Sequence, residues 1–185
     1  MDTSYSKERL QELVADKALE FGEFVLASGK IGKYYLDCRR VTLDSRGAKL
    51  IALGILEMLG EDLPDAVGGM AIGADPITAA VLTEAATQNK NLRGFIVRKE
   101  AKAHGKGNQV EGPVVAGDKV VILEDVVTTG GSSLRAIEHV EATGLEVVGV
   151  IAIIDRLEGG REAFAARGHE LRTLLTVQDF GIEAE

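Results

Sequence analysis

Short apolar runs that alternate with amphipathic stretches constrain this chain more than any other feature. Residues 66–72, 94–98, 119–123, 146–154 and 170–177 have strand length and are rich in β-branched and small apolar side chains. Between them, residues 76–89, 132–143 and 160–167 read as helices, with Pro76 suited to a first turn and Gly144 to a left-handed cap. Strands without polar alternation are covered on both faces, and strands joined through helices run parallel. The predicted class is therefore α/β, a mostly parallel central sheet flanked by helices. Ahead of the sheet, Leu10, Leu13, Val14, Ala18 and Phe21 fall at helical spacing over residues 7–21. Residues 22–42 read as a short hairpin or irregular lobe. Asp44 or Ser45 caps a second helix that runs to Gly60. We expect one domain over residues 1–185, in which residues 1–43 contribute an N-terminal helix and a small lobe. No internal repeat is present.

In sheets of this kind ligands sit beyond the carboxyl ends of the strands. That directs attention to residues 73–75, 98–104, 124–132 and 155–156. The third segment reads Glu124, Asp125, Val126, Val127, Thr128, Thr129, Gly130, Gly131, Ser132 and follows an apolar strand. Glycines let the backbone approach an anion and take positive φ. Free N–H groups at a helix start favour phosphate, and the Thr128, Thr129 and Ser132 hydroxyls add donors. Two adjacent acids repel phosphate but suit sugar hydroxyls, a cation or a developing positive charge. The plain alternative is a tight turn with Ser132 or Ser133 as N-cap. No lysine follows the glycines, so this is not a Walker loop, nor is it the dinucleotide GxGxxG turn.

The formal net charge is −8. Such a chain repels nucleic acid and anionic membranes as a whole, so an anionic ligand needs a local cluster of cations. Residues 98–108 supply one, with Arg98, Lys99, Lys102, His104 and Lys106. Gly105 and Gly107 make this segment mobile, as a lid over a polyphosphate must be. On its own it also reads as a solvated surface loop. Asp75 is an N-cap or a ligand, and His139 and His169 read as structural. The single cysteine, Cys38, reads as an apolar filler and permits no internal disulfide. No Cys/His cluster suggests zinc. The N-terminal stretch lacks a signal peptide's apolar centre, and no apolar run has transmembrane length, which predicts a cytoplasmic chain.

The Glu124–Asp125 pair with its threonine–glycine turn resembles the 5-phosphoribosyl 1-diphosphate (PRPP) signature of type I phosphoribosyltransferases. Arg98, Lys99, Lys102, His104 and Gly105 resemble the catalytic loop of the orotate-using members. Phe24 through Asp37, with Ser28, Gly29 and Lys30, is similar to their N-terminal lobe, and Asp155–Arg156 to their Asp-Arg pair. The resemblance implies transfer of the 5-phosphoribosyl group from PRPP to orotate, giving orotidine 5′-phosphate. It also implies that Lys99, Lys102 and His104 are catalytic and, with Arg98, meet the diphosphate. Glu124, Asp125, Val126, Val127, Thr128, Thr129, Gly130, Gly131 and Ser132 would cradle the ribose 5-phosphate. Thr128 and Arg156 would contact orotate. Mg²⁺ is expected to come mainly through PRPP, with no metal ligands of the chain's own, and a homodimer with shared sites is implied. Ala27 and Gly73 stand where some members carry lysine. The alternatives are transfer to another base, or PRPP binding without turnover.

Overall fold

The computed structural model describes residues 4–25, 31–100 and 109–183. Ala27, Ser28, Gly29, Lys30, Lys102 and His104 lie outside the described residues. Helix α1 (Lys7–Lys17) is capped by Ser6, whose hydroxyl accepts from the Arg9 N–H, and it buries Leu10 and Val14. It ends earlier than the apolar spacing predicts. The Ala18 N–H closes a last helical bond to Val14, and the Ala18 carbonyl accepts from Asp37 N–H at 3.0 Å. That bond draws the chain into a hairpin of β1 (Leu19–Val25) and β2 (Ile31–Leu36), antiparallel, with Phe21 opposite Tyr34. Phe21 is thus a hairpin residue, 69% exposed. The expected N-terminal lobe is this hairpin followed by one turn of helix, α2 (Arg39–Thr42).

Helix α3 (Ser45–Leu59) follows the predicted limits. The Asp44 carboxylate accepts from the Arg46 and Gly47 N–H groups, and Gly60 ends the helix at φ 75°. The sheet comprises β3 (Ala66–Met70), β4 (Arg93–Val97), β5 (Val110–Glu111), β6 (Lys119–Val127), β7 (Glu146–Asp155) and β8 (Leu171–Thr176). Their spatial order is β5-β4-β3-β6-β7-β8. All neighbours are parallel except β5, which runs antiparallel to β4. Helices α4 (Ala74–Thr87), α5 (Gly131–Glu141) and α6 (Gly160–Ala165) complete the crossovers, and a 3₁₀ turn (Val177–Phe180) follows β8. This is the α/β class that the alternating pattern predicts.

Both sheet faces are covered, as the apolar strands require. Val121, Leu123, Ile151 and Ile153 pack with α1, α3 and α4 through Val14, Ile55 and Val81. Val120, Ile122, Val150 and Ala152 face the other way, against Ile137 and Val140 of α5 and Phe164 of α6. Two elements differ from expectation. The two-residue strand β5 is too short to leave a periodic pattern. Strand β6 continues through Val126 and Val127, so the acid pair lies within the strand and not in the turn. Among the described residues no helix is long and apolar enough to cross a membrane.

The chain passes from β3 to β4 on one side, while β6 and β7 lie on the other. The order therefore reverses between β3 and β6. Their pairing stops at Gly68 opposite Ile122, though both strands continue. A crevice opens at that switch point, where doubly wound sheets take their ligands.

Candidate active site

A cavity of about 350 Å³ occupies this crevice. Its walls are residues 35–39 at the end of β2 and beyond, residues 70–73 at the end of β3 and beyond, Lys99 after β4, Glu124–Val126 of β6 and Ser132 of α5. Strand alternation sends the two acids to opposite sides. Glu124 faces α5, where Ser133 Oγ donates to Glu124 Oε2 at 2.6 Å with both residues buried. Asp125 faces the turn before α4, and Val126 N–H donates to its Oδ1 at 2.9 Å. Burial pushes the Glu124 carboxyl up to about 8; the Asp125 charge beside it adds to this and the Ser133 bond opposes it. The free site therefore holds one acid that favours its proton near neutrality.

Beyond Val127, which is buried in the core, Thr128 and Thr129 turn the chain into α5. Gly130 is the N-cap, at φ 78°, with no side chain capping the first helical N–H groups. An L side chain rarely takes that conformation, and a Cβ there would meet the Phe164 ring at 3.1 Å. The cap is thus Gly130, and not Ser132 or Ser133. Ser133 instead holds Glu124. The uncapped N–H groups of α5, an eleven-residue helix, face the same end of the sheet as the acids. This is the arrangement that binds a phosphate.

On the neighbouring strand, Asp155 is fully buried and Arg156 follows it. Asp155 Oδ1 accepts from Leu157 N–H at 2.8 Å and fixes the turn in which Leu157 takes φ 58°. Arg156 N–H donates to the Val127 carbonyl at 2.9 Å, which ties this turn to the end of β6. The Arg156 guanidinium stacks on the Tyr34 ring at 4.7 Å, with Glu158 Oε1 at 2.8 Å from Nε. The last contact is an ion pair without hydrogen-bond alignment, since Nε has no bonded partner. The hairpin thus reaches over the sheet end through Tyr34.

Lys99 lines the cavity, but Arg98 does not. The Arg98 guanidinium pairs with Glu111 of β5 at 3.2 Å and lines an adjoining groove of about 570 Å³. Asp75 lies inside the first turn of α4, whose N-cap is Gly73. Its Oδ1 is buried without a partner, and burial raises its pKa. His139 meets Gln109 Nε2 at 3.2 Å and His169 lies 3.6 Å from Glu141, both away from the cavity. Cys38 packs in the core and also lines the cavity, and its burial pushes the thiol up. Sequence reading missed Ser133 as the Glu124 partner, and it missed Tyr34, Glu158 and Arg39. Tyr34 belonged to a motif it had already marked, whereas the others are brought in only by folding.

Comparison with known proteins bears on this geometry. The phosphoribosyl transferase domain family matches residues 48–170. An orotate phosphoribosyltransferase of Rhodopirellula baltica is 59% identical over 177 residues, covering 92% of each chain. One from Aquifex aeolicus is 40% identical over 176 residues, covering 94% of this chain and 96% of its own. A crystal structure of the Mycobacterium tuberculosis orotate phosphoribosyltransferase in complex with PRPP superposes with a TM-score of 0.81 at 35% identity, covering 95% of this chain and 99% of its own. Another crystal structure of that enzyme gives a TM-score of 0.85 at 38% identity with the same coverage. Fold, switch-point cavity and relatives agree, and the chain belongs to the phosphoribosyltransferases, in their orotate phosphoribosyltransferase branch.

Proposed function

We propose that this chain transfers the 5-phosphoribosyl group of PRPP to orotate, yielding orotidine 5′-phosphate and diphosphate in pyrimidine biosynthesis. The observation that carries this reading is the joint placement of three groups at one sheet end. They are the Glu124–Asp125 pair, the uncapped α5 start after Gly130, and the Arg156 guanidinium tied to Val127. The acids suit the ribose hydroxyls, the helix start suits the 5-phosphate, and Arg156 suits the orotate carboxylate.

In the reaction the C1–oxygen bond to diphosphate breaks and its electron pair leaves with the diphosphate. A ring nitrogen of orotate bonds to C1 and gives up its proton. Positive charge develops on the ribose beside the acid pair, where the Asp125 carboxylate opposes it. Lys99, with Lys102 and His104 from the basic segment, offsets the charge gathering on the diphosphate. Arg98 steadies that segment's base through Glu111. Thr128 follows Val127, whose carbonyl accepts from Arg156 N–H, and suits the edge of the base. No covalent intermediate is required, because positioning and electrostatics lower the barrier.

Mg²⁺ fits this site as a partner of the substrate. Among the described residues no group of three or more His, Cys, Asp or Glu could hold a metal ion, yet the cavity offers carboxylate oxygens. When bound, the ion neutralises diphosphate charge. We read the working form as a homodimer in the cytoplasm, with residues 101–108 of each subunit serving the other's site. The single cysteine suits a reducing compartment.

The test is product formation. With PRPP and Mg²⁺ the chain should convert orotate, and not uracil or adenine, to its nucleotide. The absence of orotidine 5′-phosphate, or an equal rate with an uncharged base, would overturn the reading.

A further inference from the structure

The cavity is short of fixed positive charge. Its lining holds the carboxyl groups of Asp37, Glu124 and Asp125 and, among the described residues, only two cations, Arg39 and Lys99. The turn after β3, residues 71–73, supplies no cationic side chain. At Gly73 a Cβ would stand 2.9 Å from Asp125 Oδ1, so the turn leaves no room there for a cationic side chain without displacing the acid. A diphosphate bound between this turn and Lys99 therefore needs another cation.

Arg39 opens α2 and lines the same cavity as that turn. Its Nε donates to Asp37 Oδ1 at 2.8 Å and its Nη2 to Oδ2 at 3.1 Å, a two-point clasp that fixes the guanidinium plane. Asp37 is itself oriented by accepting from the Arg39 backbone N–H at 3.2 Å. The clasp occupies one edge of the guanidinium and leaves Nη1 for a ligand. The Asp37 bond strengthens the hold of Arg39 on its proton, with a further contribution from the Asp125 charge. The next residue, Arg40, turns instead to Glu20 on the hairpin and is not part of the cavity wall.

We propose that Arg39, held by Asp37, is a diphosphate-binding residue of PRPP, taking the place that Gly73 leaves without a cation. It is a side chain that binds and orients the leaving group. This inference rests on the phosphoribosyl-transfer reading above. Wild-type turnover with orotate tests that reading first, and the variants then test the inference separately.

The experiment compares wild type, Arg39→Gln, Arg39→Lys and Arg40→Gln in steady-state turnover with PRPP, Mg²⁺ and orotate, and in inhibition by inorganic diphosphate. A charge-assisted hydrogen bond is worth about ten- to hundredfold in binding. We expect Arg39→Gln to raise the PRPP KM and the diphosphate inhibition constant by about that factor. The orotate KM and thermal midpoint should stay unchanged. Arg39→Lys should recover part of the loss, because it keeps the charge without the fork. Arg40→Gln should match wild type. A PRPP KM within twofold of wild type in Arg39→Gln overturns the inference. So does a rise confined to the orotate KM, or an equal loss in Arg40→Gln.

Discussion

Glu124 and Asp125 are adjacent in sequence but meet different surroundings. Glu124 is 7% exposed and shares a hydrogen bond with Ser133, whereas Asp125 faces the open crevice beside Gly73. The pH consequence follows from the raised Glu124 pKa. The folded state keeps a proton that the unfolded chain releases near the ordinary value of 4.5, and gives it up only at about 8. Stability is therefore greatest at low pH as far as this group is concerned. It falls between those two values and levels off above them. Glu124→Gln keeps an acceptor for Ser133 and removes the titration. Its thermal midpoint relative to wild type should rise from pH 5 to pH 9, by roughly 4 °C or more. Calorimetric scans at the two pH values check this, and a constant difference would show that Glu124 is not proton-linked. The sequence displayed the acid pair plainly. It could not display the pKa, because Ser133 and the packing of α5 create it.

At the scale of elements, the strand–turn–helix unit from β6 to α5 was readable because all its parts are contiguous. Glycine at 130, hydroxyls around it and apolar residues before it carry their own local instructions. The same holds for Asp44 and Gly60 at the ends of α3. What was not readable depends on distant partners. The end of α1 was overrun to Phe21, because an apolar residue at helical spacing does not reveal that its backbone pairs with Tyr34. Strand β5 exists only by pairing with β4. Arg39 reads as one of two adjacent arginines until the fold places one at the cavity and turns the other away. The β6–α5 unit yields a direct test. Gly130→Ala must place a Cβ in the left-handed region and against Phe164. It should cost about 1–2 kcal/mol in urea unfolding and raise the PRPP KM about tenfold by tilting the helix start. Wild-type stability and KM would mean that the turn tolerates a side chain and does not set the phosphate position.

Across the whole molecule, the reversal of strand order between β3 and β6 gathers into one crevice residues that lie far apart in the chain. The alternation of strands and helices announced such a crevice, and the relatives place the chain in a family that fits it. The proposed shared-site dimer leads to a complementation result. On that proposal Lys102→Ala disables a segment that serves the partner's site, and Asp125→Asn disables the chain's own. Each pure variant should lose turnover by about a hundredfold or more. Purified heterodimers of the two should regain activity, because one of their sites then carries neither change. Heterodimers as inactive as the parents would mean that each site is built within one chain. The central claim, that PRPP binds at the β3–β6 switch point through the acid pair, is tested most directly by calorimetric titration of PRPP with Mg²⁺ into wild type and Asp125→Asn. The account predicts measurable binding to wild type and an affinity at least about tenfold weaker in the variant, with the fold intact. Equal affinity for both would contradict it.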